Sequence, residues 1–196
     1  MRLILINYML SIKKYADTDL NALKVAFEEV FDKLELPYFD DFINTGLSYI
    51  AINRTGEVGA FILVSETEEA IGKHEINFLG VLPRYRRQGY AKALIDSVKG
   101  YASEGLWLNV METNMEACKL YETNGFTVAR RFTGETGEAG IKYIYGLKCY
   151  YCSKELKADD VILEETPTRL KFGRNGFEHE YSLVRSCWHC RTRIVP

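Results

Sequence analysis

The fold of this chain is decided by the stretch Val81-Leu-Pro-Arg-Tyr-Arg-Arg-Gln-Gly-Tyr-Ala91. A run of β-forming residues, 74–81, leads into it, and apolar residues at helical spacing follow Gly89. A glycine-bearing turn that joins a strand to a helix presents several backbone N–H groups at the positive end of the helix dipole. The stretch is therefore suited to bind a pyrophosphate.

A second informative stretch reads Asn114-Met-Glu-Ala-Cys-Lys-Leu-Tyr-Glu-Thr-Asn-Gly-Phe126. Thr113 and Glu116 predict a capping box at the start of a helix, with the threonine at the N-cap and the glutamate at N3. Asn114 and Tyr121 are seven residues apart, so two helical turns place them on one face. The pattern predicts a helix that presents both side chains in the same direction.

The remaining hydrophobic periodicity predicts the other elements of an α/β domain. Their order, β-α-α-β-β-β-α-β-α-β-β, indicates an α/β layer with a mixed sheet over residues 1–148. The predicted elements are a strand over 1–10, helices over 20–34 and 38–43, strands over 48–52, 58–64 and 74–81, a helix over 89–105, a strand over 106–111, a helix over 114–124, and strands over 126–132 and 142–147.

Charge and hydropathy exclude several classes of protein. The net charge of −2 gives no electrostatic reason to expect nucleic acid or an anionic membrane as a partner. The apolar start, Met1 to Leu10, is interrupted by Asn7 and precedes no small-residue cleavage site, which favours a strand over a signal peptide. No apolar stretch is long enough to span a bilayer. We therefore expect a cytoplasmic protein.

Four of the five cysteines form two Cys-x-x-Cys pairs near the C-terminus, at Cys149, Cys152, Cys187 and Cys190. In the absence of a secretory signal, clustered thiols favour a metal over disulfides and indicate a reducing compartment. Two pairs of thiolates suit a tetrahedral structural zinc. We predict a small zinc-ribbon-like β module over 149–196, which needs the metal to fold because it has few apolar residues. The alternative is four buried cysteines that bind no metal.

Together, the two stretches resemble the signature segments of the GNAT superfamily of acyl-CoA N-acetyltransferases. Arg86-Arg-Gln-Gly89-Tyr-Ala91 matches the pattern Gln/Arg-x-x-Gly-x-Gly/Ala, and the second stretch matches Asn-x-x-Ala-x-x-x-Tyr-x-x-x-Gly-Phe. For the first motif alone, an ordinary strand-turn-helix is the alternative. The joint match covers a domain over 1–148. It implies a GNAT-type mixed, mostly antiparallel sheet flanked by helices, and acetyl-CoA as co-substrate.

The resemblance implies how the turn would hold acetyl-CoA. Backbone amides of residues 87–91 would bind the pyrophosphate. Gly89 would let the backbone approach the ligand, and the small Ala91 would keep the helix start uncluttered. The arginines at positions 84, 86 and 87 would place positive charge beside the polyanionic ligand.

The strand before the turn would contact the rest of the cofactor. The backbone of Val81 and Leu82 would pair with the pantetheine arm like an added strand. A backbone N–H between Leu79 and Val81 would polarise the thioester carbonyl. The implied cofactor-binding residues are Leu79, Val81, Leu82, Arg86, Arg87, Gln88, Gly89, Tyr90, Ala91, Asn114 and Tyr121.

Two residues are predicted to move protons. Tyr121 occupies the position that protonates the departing CoA thiolate in many GNAT enzymes, and the alternative is a tyrosine packed between helix and sheet. Glu75 occupies the position of the glutamate base in the histone acetyltransferase branch, and apolar surroundings would raise its pKa. The alternatives for Glu75 are a solvated strand end or a water chain that serves as base. Strand alternation turns His74 away from Glu75, and Cys118 is interpreted as a small core residue.

The predicted function is N-acetyl transfer from acetyl-CoA to a small-molecule or peptide amine, directly within a ternary complex. The alternative is a non-enzymatic acyl-CoA-binding scaffold whose zinc ribbon contacts nucleic acid or protein. Tyr121 and the intact turn favour the enzyme. Acceptor loops vary within this superfamily, and the acidic residues Glu135 and Glu138 hint at a cationic acceptor.

Overall fold

A computed structural model of the chain describes residues 10–31, 39, 42, 46–67, 73–134, 137–146, 154, 162–173 and 176–186. The chain forms two compact units. The first comprises Met1–Glu66 and Glu75–Gly100, and the second comprises Thr67–His74 and Tyr101–Pro196. Within the described residues, no helix is long and apolar enough to cross a membrane. The strand predicted over 1–10 and most of the short helix predicted over 38–43 lie outside the described residues.

In its described residues, the first unit contains four neighbouring strands and the two α-helices named next. These are β1 (Ser11–Lys14), α1 (Leu20–Val30), β2 (Tyr49–Ile52), β3 (Val58–Glu66), β4 (His74–Val81) and α2 (Tyr90–Val98). The first residue of β4 belongs to the second unit. The strands lie in the order in which they occur in the chain, and both pairs formed by β1, β2 and β3 are antiparallel. The bounds predicted for β4 are confirmed.

An aromatic cluster fills the core of the first unit on the α1 side of its strands. The ring centroid of Phe27, on α1, lies 5.8 Å from that of Phe61 on β3 and 4.9 Å from that of Phe78 on β4. Phe39 completes the cluster, 4.7 Å from Phe27. Large buried rings contribute strongly to stability. This packing fixes α1 against the strand that leads to the glycine turn.

Helix α1 ends at Val30, and not at residue 34 as predicted. Phe31 already has an extended backbone, with φ −112° and ψ 152°. Its ring lies 6.1 Å from Phe61 and 5.2 Å from Phe78 between centroids. The apolar periodicity continues past Val30, but Phe31 joins the core from outside the helix. Tertiary packing has overridden the local helical pattern.

The part of the second unit that the structure describes contains a three-stranded layer, one α-helix and a long hairpin. The elements are β5 (Leu106–Met111), α3 (Met115–Thr123), β6 (Thr127–Thr133), β7 (Ala139–Tyr145), β8 (Ile162–Gly173) and β9 (Gly176–Ser186). Strand β7 lies between β5 and β6 and is antiparallel to both. The bounds of β5 are as predicted. The predicted helix over 89–105 is shorter, because α2 gives way to a 3-10 turn over Lys99–Glu104.

Strand β7 begins before the predicted residue 142, because the loop that precedes it is tighter than its length indicates. The Gly134 amide donates to the Glu138 carbonyl at 2.8 Å, which closes a short turn. Gly137 has a φ of 92°, a conformation that favours glycine. The strand can therefore start at Ala139.

The hairpin of β8 and β9 lies in the segment predicted to be a zinc module. Its strands are antiparallel from Ile162 opposite Ser186 to Gly173 opposite Gly176. The four predicted zinc ligands, Cys149, Cys152, Cys187 and Cys190, lie outside the described residues. Cys187 directly follows the last residue of β9.

Candidate active site

The turn after β4 has the left-handed backbone that its glycine favours. Gly89 is the N-cap of α2, with φ 88° and ψ −1°. A Cβ atom at Gly89 would meet nothing within 4 Å, so the space in front of the turn is open. Arg87 also has a positive φ, 59°. Such strain in a residue with a side chain is typical of ligand-binding turns.

The start of α2 directs backbone donors towards this open space. The Ala93 amide donates to the Gly89 carbonyl at 3.0 Å, and regular helical hydrogen bonding begins with this bond. The amides that precede it have no carbonyl acceptor within the helix, and the helix dipole adds positive potential. An anionic group would find suitable donors here.

Two side chains of the turn bind its own backbone. Arg86 donates from Nε to the Val81 carbonyl at 3.1 Å, and Gln88 donates from Nε2 to the Arg84 carbonyl at 3.1 Å. Both residues were predicted to belong to the cofactor site, Gln88 through its backbone amide and Arg86 through its positive charge. In the structure, each uses a donor to hold the shape of the turn, which fixes the direction of the amides.

Arg84 belongs to a polar network just before the turn. Its guanidinium binds the carboxylates of Glu29 and Glu57. Glu57 also accepts from the buried Tyr85 hydroxyl at 2.9 Å and from the Asn53 amide at 2.7 Å. The Arg84 bond holds the pKa of Glu57 below its ordinary value. In contrast to the prediction, Arg84 does not bring uncompensated positive charge to a ligand, because two carboxylates neutralise it.

An open cavity of about 320 Å³ lies beside this network. Its polar rim consists mainly of Glu57 and Arg84, which bind each other. The cavity therefore offers mainly apolar contacts, and Leu82 alone of the predicted cofactor-binding residues lines it. The lining residues are Ala22, Val25, Ala26, Thr55, Gly56, Glu57, Val58, Leu82 and Arg84.

Strand β4 separates the predicted base from the histidine beside it. His74 and Ile76 are buried, whereas Glu75 and Asn77 are half-buried. The His74 ring stacks on Tyr101 with centroids 5.2 Å apart, so His74 and Glu75 face opposite ways as predicted. The Oδ1 atom of Asn77 is buried and accepts no hydrogen bond among the described residues. Such an acceptor is rare. It makes Asn77 a candidate ligand contact that the sequence analysis missed.

The end of β4 is tightly packed on β3. A Cβ atom at Gly80 would lie 2.4 Å from the Phe61 ring, so only glycine fits there. The Leu82 amide donates to the Gly59 carbonyl at 2.9 Å. The Leu82 N–H is thus engaged, and the Val81 carbonyl accepts from Arg86. An added strand of pantetheine would pair through other backbone groups, near the half-buried Leu79 and Val81.

Helix α3 is capped by Asn114 and not by the predicted capping box. The Asn114 side-chain oxygen accepts from the Ala117 amide at 3.2 Å. The roles predicted for Thr113 and Glu116 were wrong. Asparagine is at least as good an N-cap as threonine, and Asn114 lies one residue closer to the start of the helix. The predicted end of the helix is confirmed, with Gly125 at φ 90°. The cap uses the oxygen of Asn114, a predicted cofactor contact.

Tyr121 is the buried residue of α3, with 6% of its surface exposed. Its ring lies 5.4 Å from Phe126 and 6.3 Å from Tyr143 between centroids. Burial raises its pKa well above the ordinary tyrosine value. None of the hydrogen bonds in the described part of the chain uses the Tyr121 hydroxyl. The ring therefore packs in the core, and the hydroxyl has no hydrogen-bond partner among the described residues.

A polar cluster beside Tyr121 was not predicted from the sequence. The Tyr143 hydroxyl, on β7, donates to Glu122 Oε1 at 2.7 Å. On the same helix, the Cys118 thiol donates to the Met111 carbonyl at 3.8 Å. Cys118 is half-exposed, so it is not the core residue that was expected. No local signal shows which residue of β7 meets α3, since strand pairing decides it.

An α/β fold in which a left-handed glycine turn opens a helix is suited to bind the phosphate groups of an acyl-CoA, as in the acyl-CoA-dependent transferases. Residues 18–126, more than half of the 196-residue chain, match the acetyltransferase (GNAT) family. The chain therefore belongs to the GNAT family and is an acetyl-CoA-dependent N-acetyltransferase. A comparison with curated protein sequences gives no match.

Solved structures support the same fold, a mixed sheet flanked by helices. Arabidopsis thaliana NAA60 in complex with acetyl-CoA superposes with a TM-score of 0.57 at 23% identity, over 70% of this chain and 99% of that one. The ribosomal-protein-S18-alanine N-acetyltransferase from Escherichia coli gives a TM-score of 0.56 at 25% identity, over 70% and 93%. Arabidopsis thaliana Naa50 in complex with the bisubstrate analogue CoA-Ac-MVNAL gives 0.57 at 22%, over 69% and 97%.

Proposed function

We propose that this enzyme transfers the acetyl group of acetyl-CoA to the amine of a peptide or protein, directly within a ternary complex. The amine nitrogen forms a bond to the thioester carbonyl carbon, the carbon–sulfur bond breaks, and the thiolate takes up a proton. The similarity to an enzyme that acetylates a ribosomal-protein alanine, at 25% identity, favours this acceptor over a small molecule. The similarity carries no information about the sequence of the peptide.

The observation that carries the proposal is the left-handed Gly89 cap with open space in front of it. The amides of residues 87–91 would hold the pyrophosphate, with Tyr90 and Ala91 in the first turn of α2. The strained Arg87 backbone supports a turn shaped for a ligand. The orphaned oxygen of Asn77 supports a polar ligand beside β4, because an N–H donor of the pantetheine arm would satisfy it.

In this proposal Tyr121 is the general acid. A departing thiolate needs a donor that is protonated at neutral pH, and a tyrosine hydroxyl meets this requirement. Its hydroxyl is also not committed to another hydrogen bond in the described residues. The alternative is that Tyr121 only packs between helix and sheet, and its ring contacts with Phe126 and Tyr143 are compatible with both roles.

Glu75 is the proposed base that takes a proton from the acceptor ammonium. Its half-buried position on β4, opposite to buried His74, supports access from the ligand side of the strand. A water chain that leads to Glu75 would perform the same step over a longer distance. His74 is unsuited to the role, since its ring is stacked on Tyr101.

We also propose a structural zinc held by Cys149, Cys152, Cys187 and Cys190, in a module over 149–196. The β8–β9 hairpin supports this proposal. A two-stranded hairpin is marginally stable by itself, and Cys187 directly follows its open end at the Ile162–Ser186 pair. A metal cross-link at that end would offset the ordering entropy of the strands. Four thiolates leave no open coordination position, so the zinc would take no part in the chemistry.

The function is tested by an acetyl-transfer screen with purified protein. Peptides with free N-termini should consume acetyl-CoA and release CoA, whereas peptides with a blocked N-terminus and no lysine should not. Polyamines and aminoglycosides form the small-molecule arm. Turnover restricted to that arm would refute the peptide acceptor and leave the transferase intact. Acetyl-CoA binding without turnover on any amine would favour the scaffold alternative.

The zinc proposal has its own measurement. The purified chain should contain about one zinc per molecule by elemental analysis. The Cys187→Ser and Cys190→Ser double variant should lose the metal and expose the C-terminal segment to protease. Acetyl-CoA binding should persist, since its proposed contacts all precede residue 148. A protease-resistant segment in zinc-free protein would refute the module.

A further inference from the structure

Helix α3 is short and buries one of its side chains. It spans nine residues, Met115–Thr123, and Tyr121 is its one buried residue. A helix of this length is marginal in isolation and depends on tertiary contacts for its position. The rotation of α3 about its own axis is therefore set by a small number of interactions near Tyr121.

Ring packing alone leaves this rotation loosely defined. The Tyr121 ring is flanked by Phe126, three residues after the end of the helix, and by Tyr143 on β7. The hydrophobic contribution of these contacts is non-directional, so it resists separation more than sliding. A directional bond is needed to fix where the Tyr121 hydroxyl points.

The Tyr143 hydroxyl supplies such a bond. Tyr143 is fully buried, and it donates to the carboxylate of Glu122, the residue next to Tyr121, at 2.7 Å. The bond therefore joins a core strand to α3 at the residue that directly follows Tyr121.

We infer that Tyr143, through Glu122, is a positioning residue that holds the Tyr121 hydroxyl in its working direction. This inference rests on the proposed role of Tyr121 as general acid. Tyr143 itself transfers no proton. Its hydroxyl fixes the rotation of α3 about the helix axis, and α3 contains Tyr121, the proposed acid.

A small rotation of the helix produces a large displacement of the Tyr121 hydroxyl, which makes this bond important. The Cα atoms lie about 2.3 Å from the helix axis, and a tyrosine hydroxyl extends several ångströms further. A rotation of about 10° would then move the hydroxyl by roughly 1.5 Å. Misplacing a catalytic group by about 1 Å can lower a rate by about 100-fold.

The test is a double-mutant cycle between Tyr143→Phe and Tyr121→Phe, with kcat, the KM for the acceptor and the acetyl-CoA Kd measured for each. Tyr143→Phe should lower kcat by about 10-fold to 100-fold and leave the acetyl-CoA Kd unchanged. In the Tyr121→Phe background the same change should have little further effect, because no acid remains to be positioned. Thr123→Ala is the matched control, since its hydroxyl bonds only to carbonyls of its own helix.

Glu122 provides a second test that does not alter the core. Glu122→Gln keeps a carbonyl acceptor and should retain most of kcat, whereas Glu122→Ala should match Tyr143→Phe. Equal losses from Tyr143→Phe in both backgrounds would overturn the positioning role and leave Tyr121 as acid. A wild-type kcat in Tyr121→Phe would refute Tyr121 as the acid. If Tyr143→Phe still lowered kcat, that loss could not come from positioning Tyr121, and the positioning role would be overturned as well.

Discussion

The two halves of the candidate residue set, the glycine turn in the first unit and α3 in the second, are held in place by different amounts of structure. In the first unit, the residues next to the glycine turn are tied together by Arg84, Tyr85, Glu57 and Asn53, and the turn itself is braced by Arg86. In the second unit, the described contacts of α3 include the packing of the Tyr121 ring, the bond from Tyr143 to Glu122 and the bond from the Cys118 thiol to Met111. Each half has a buried tyrosine whose hydroxyl donates to a glutamate. Among the described residues, Glu57 has further side-chain partners and Glu122 has none.

The difference matches what each half has to do. A pyrophosphate site works through backbone amides, and these must be fixed before the ligand arrives. A redundant network serves that purpose, since the loss of one bond leaves the others. The acid acts through one side-chain atom, so its direction is what matters. We therefore expect changes in the first unit to alter acetyl-CoA binding, and changes around Tyr121 to alter kcat.

The largest expected effect is on binding, from Gly89→Glu. A side chain at φ 88° strains the turn by about 1–2 kcal/mol, and the carboxylate would repel the pyrophosphate. The rise in Tm that acetyl-CoA causes in the wild type should disappear. Gly56→Glu is the matched control, because Gly56 has a similar φ of 84° and equally open space. A normal ligand-induced shift in the Gly89 variant would remove the pyrophosphate site from the turn.

The next largest effect should come from Tyr121→Phe, which tests the role of the second unit in the same way. We expect kcat to fall by about 100-fold while the acetyl-CoA Kd is unchanged, since the hydroxyl acts on the leaving thiolate. Because the Tyr121 pKa is raised, the wild-type kcat should not decline as the pH passes the ordinary tyrosine value of about 10. Full activity of the variant would assign Tyr121 to packing alone.

Glu75→Gln tests whether the first unit affects only acetyl-CoA binding and the second only kcat, because Glu75 lies in the unit that we assign to binding. We expect kcat to fall by about tenfold near neutral pH, where the acceptor amine is protonated. The defect should shrink at high pH, where the amine loses its proton unaided. A rate profile across pH with peptide acceptor measures this. A defect that is constant across pH would indicate a structural role.

The smallest expected effect is that of Tyr85→Phe, which removes the tyrosine–glutamate bond from the first unit. Glu57 keeps its bonds to Arg84 and Asn53, so the loss should be about 1 kcal/mol or less in stability. The acetyl-CoA Kd should rise by less than about tenfold, with kcat at saturation unchanged. Tyr143→Phe is the direct comparison in the second unit. A larger kcat defect from Tyr85→Phe than from Tyr143→Phe would reverse the division of roles.

Local sequence predicted the parts of the site that depend on short-range geometry. The left-handed conformations at Gly89 and Gly125 follow from residue type, and the bounds of β4 and β5 follow from runs of β-forming residues. The sequence-based prediction failed where neighbouring residues compete for one position. At the N-cap of α3, Thr113 and Asn114 are both good caps. It failed again at Phe31, where the aromatic core draws the residue out of the helix that its spacing predicts.

The sequence by itself determined the family, the glycine turn and the position of Tyr121 on its helix, because each depends on residue types at fixed short spacings. Only the tertiary structure decided that Arg84 is neutralised by Glu29 and Glu57, and that Tyr143 meets Glu122. These pairs join residues far apart in the chain, so strand register and helix packing select them. Hydrogen bonds and ion pairs act over a few ångströms. The partner of a polar side chain is therefore known only once the fold has brought the two together.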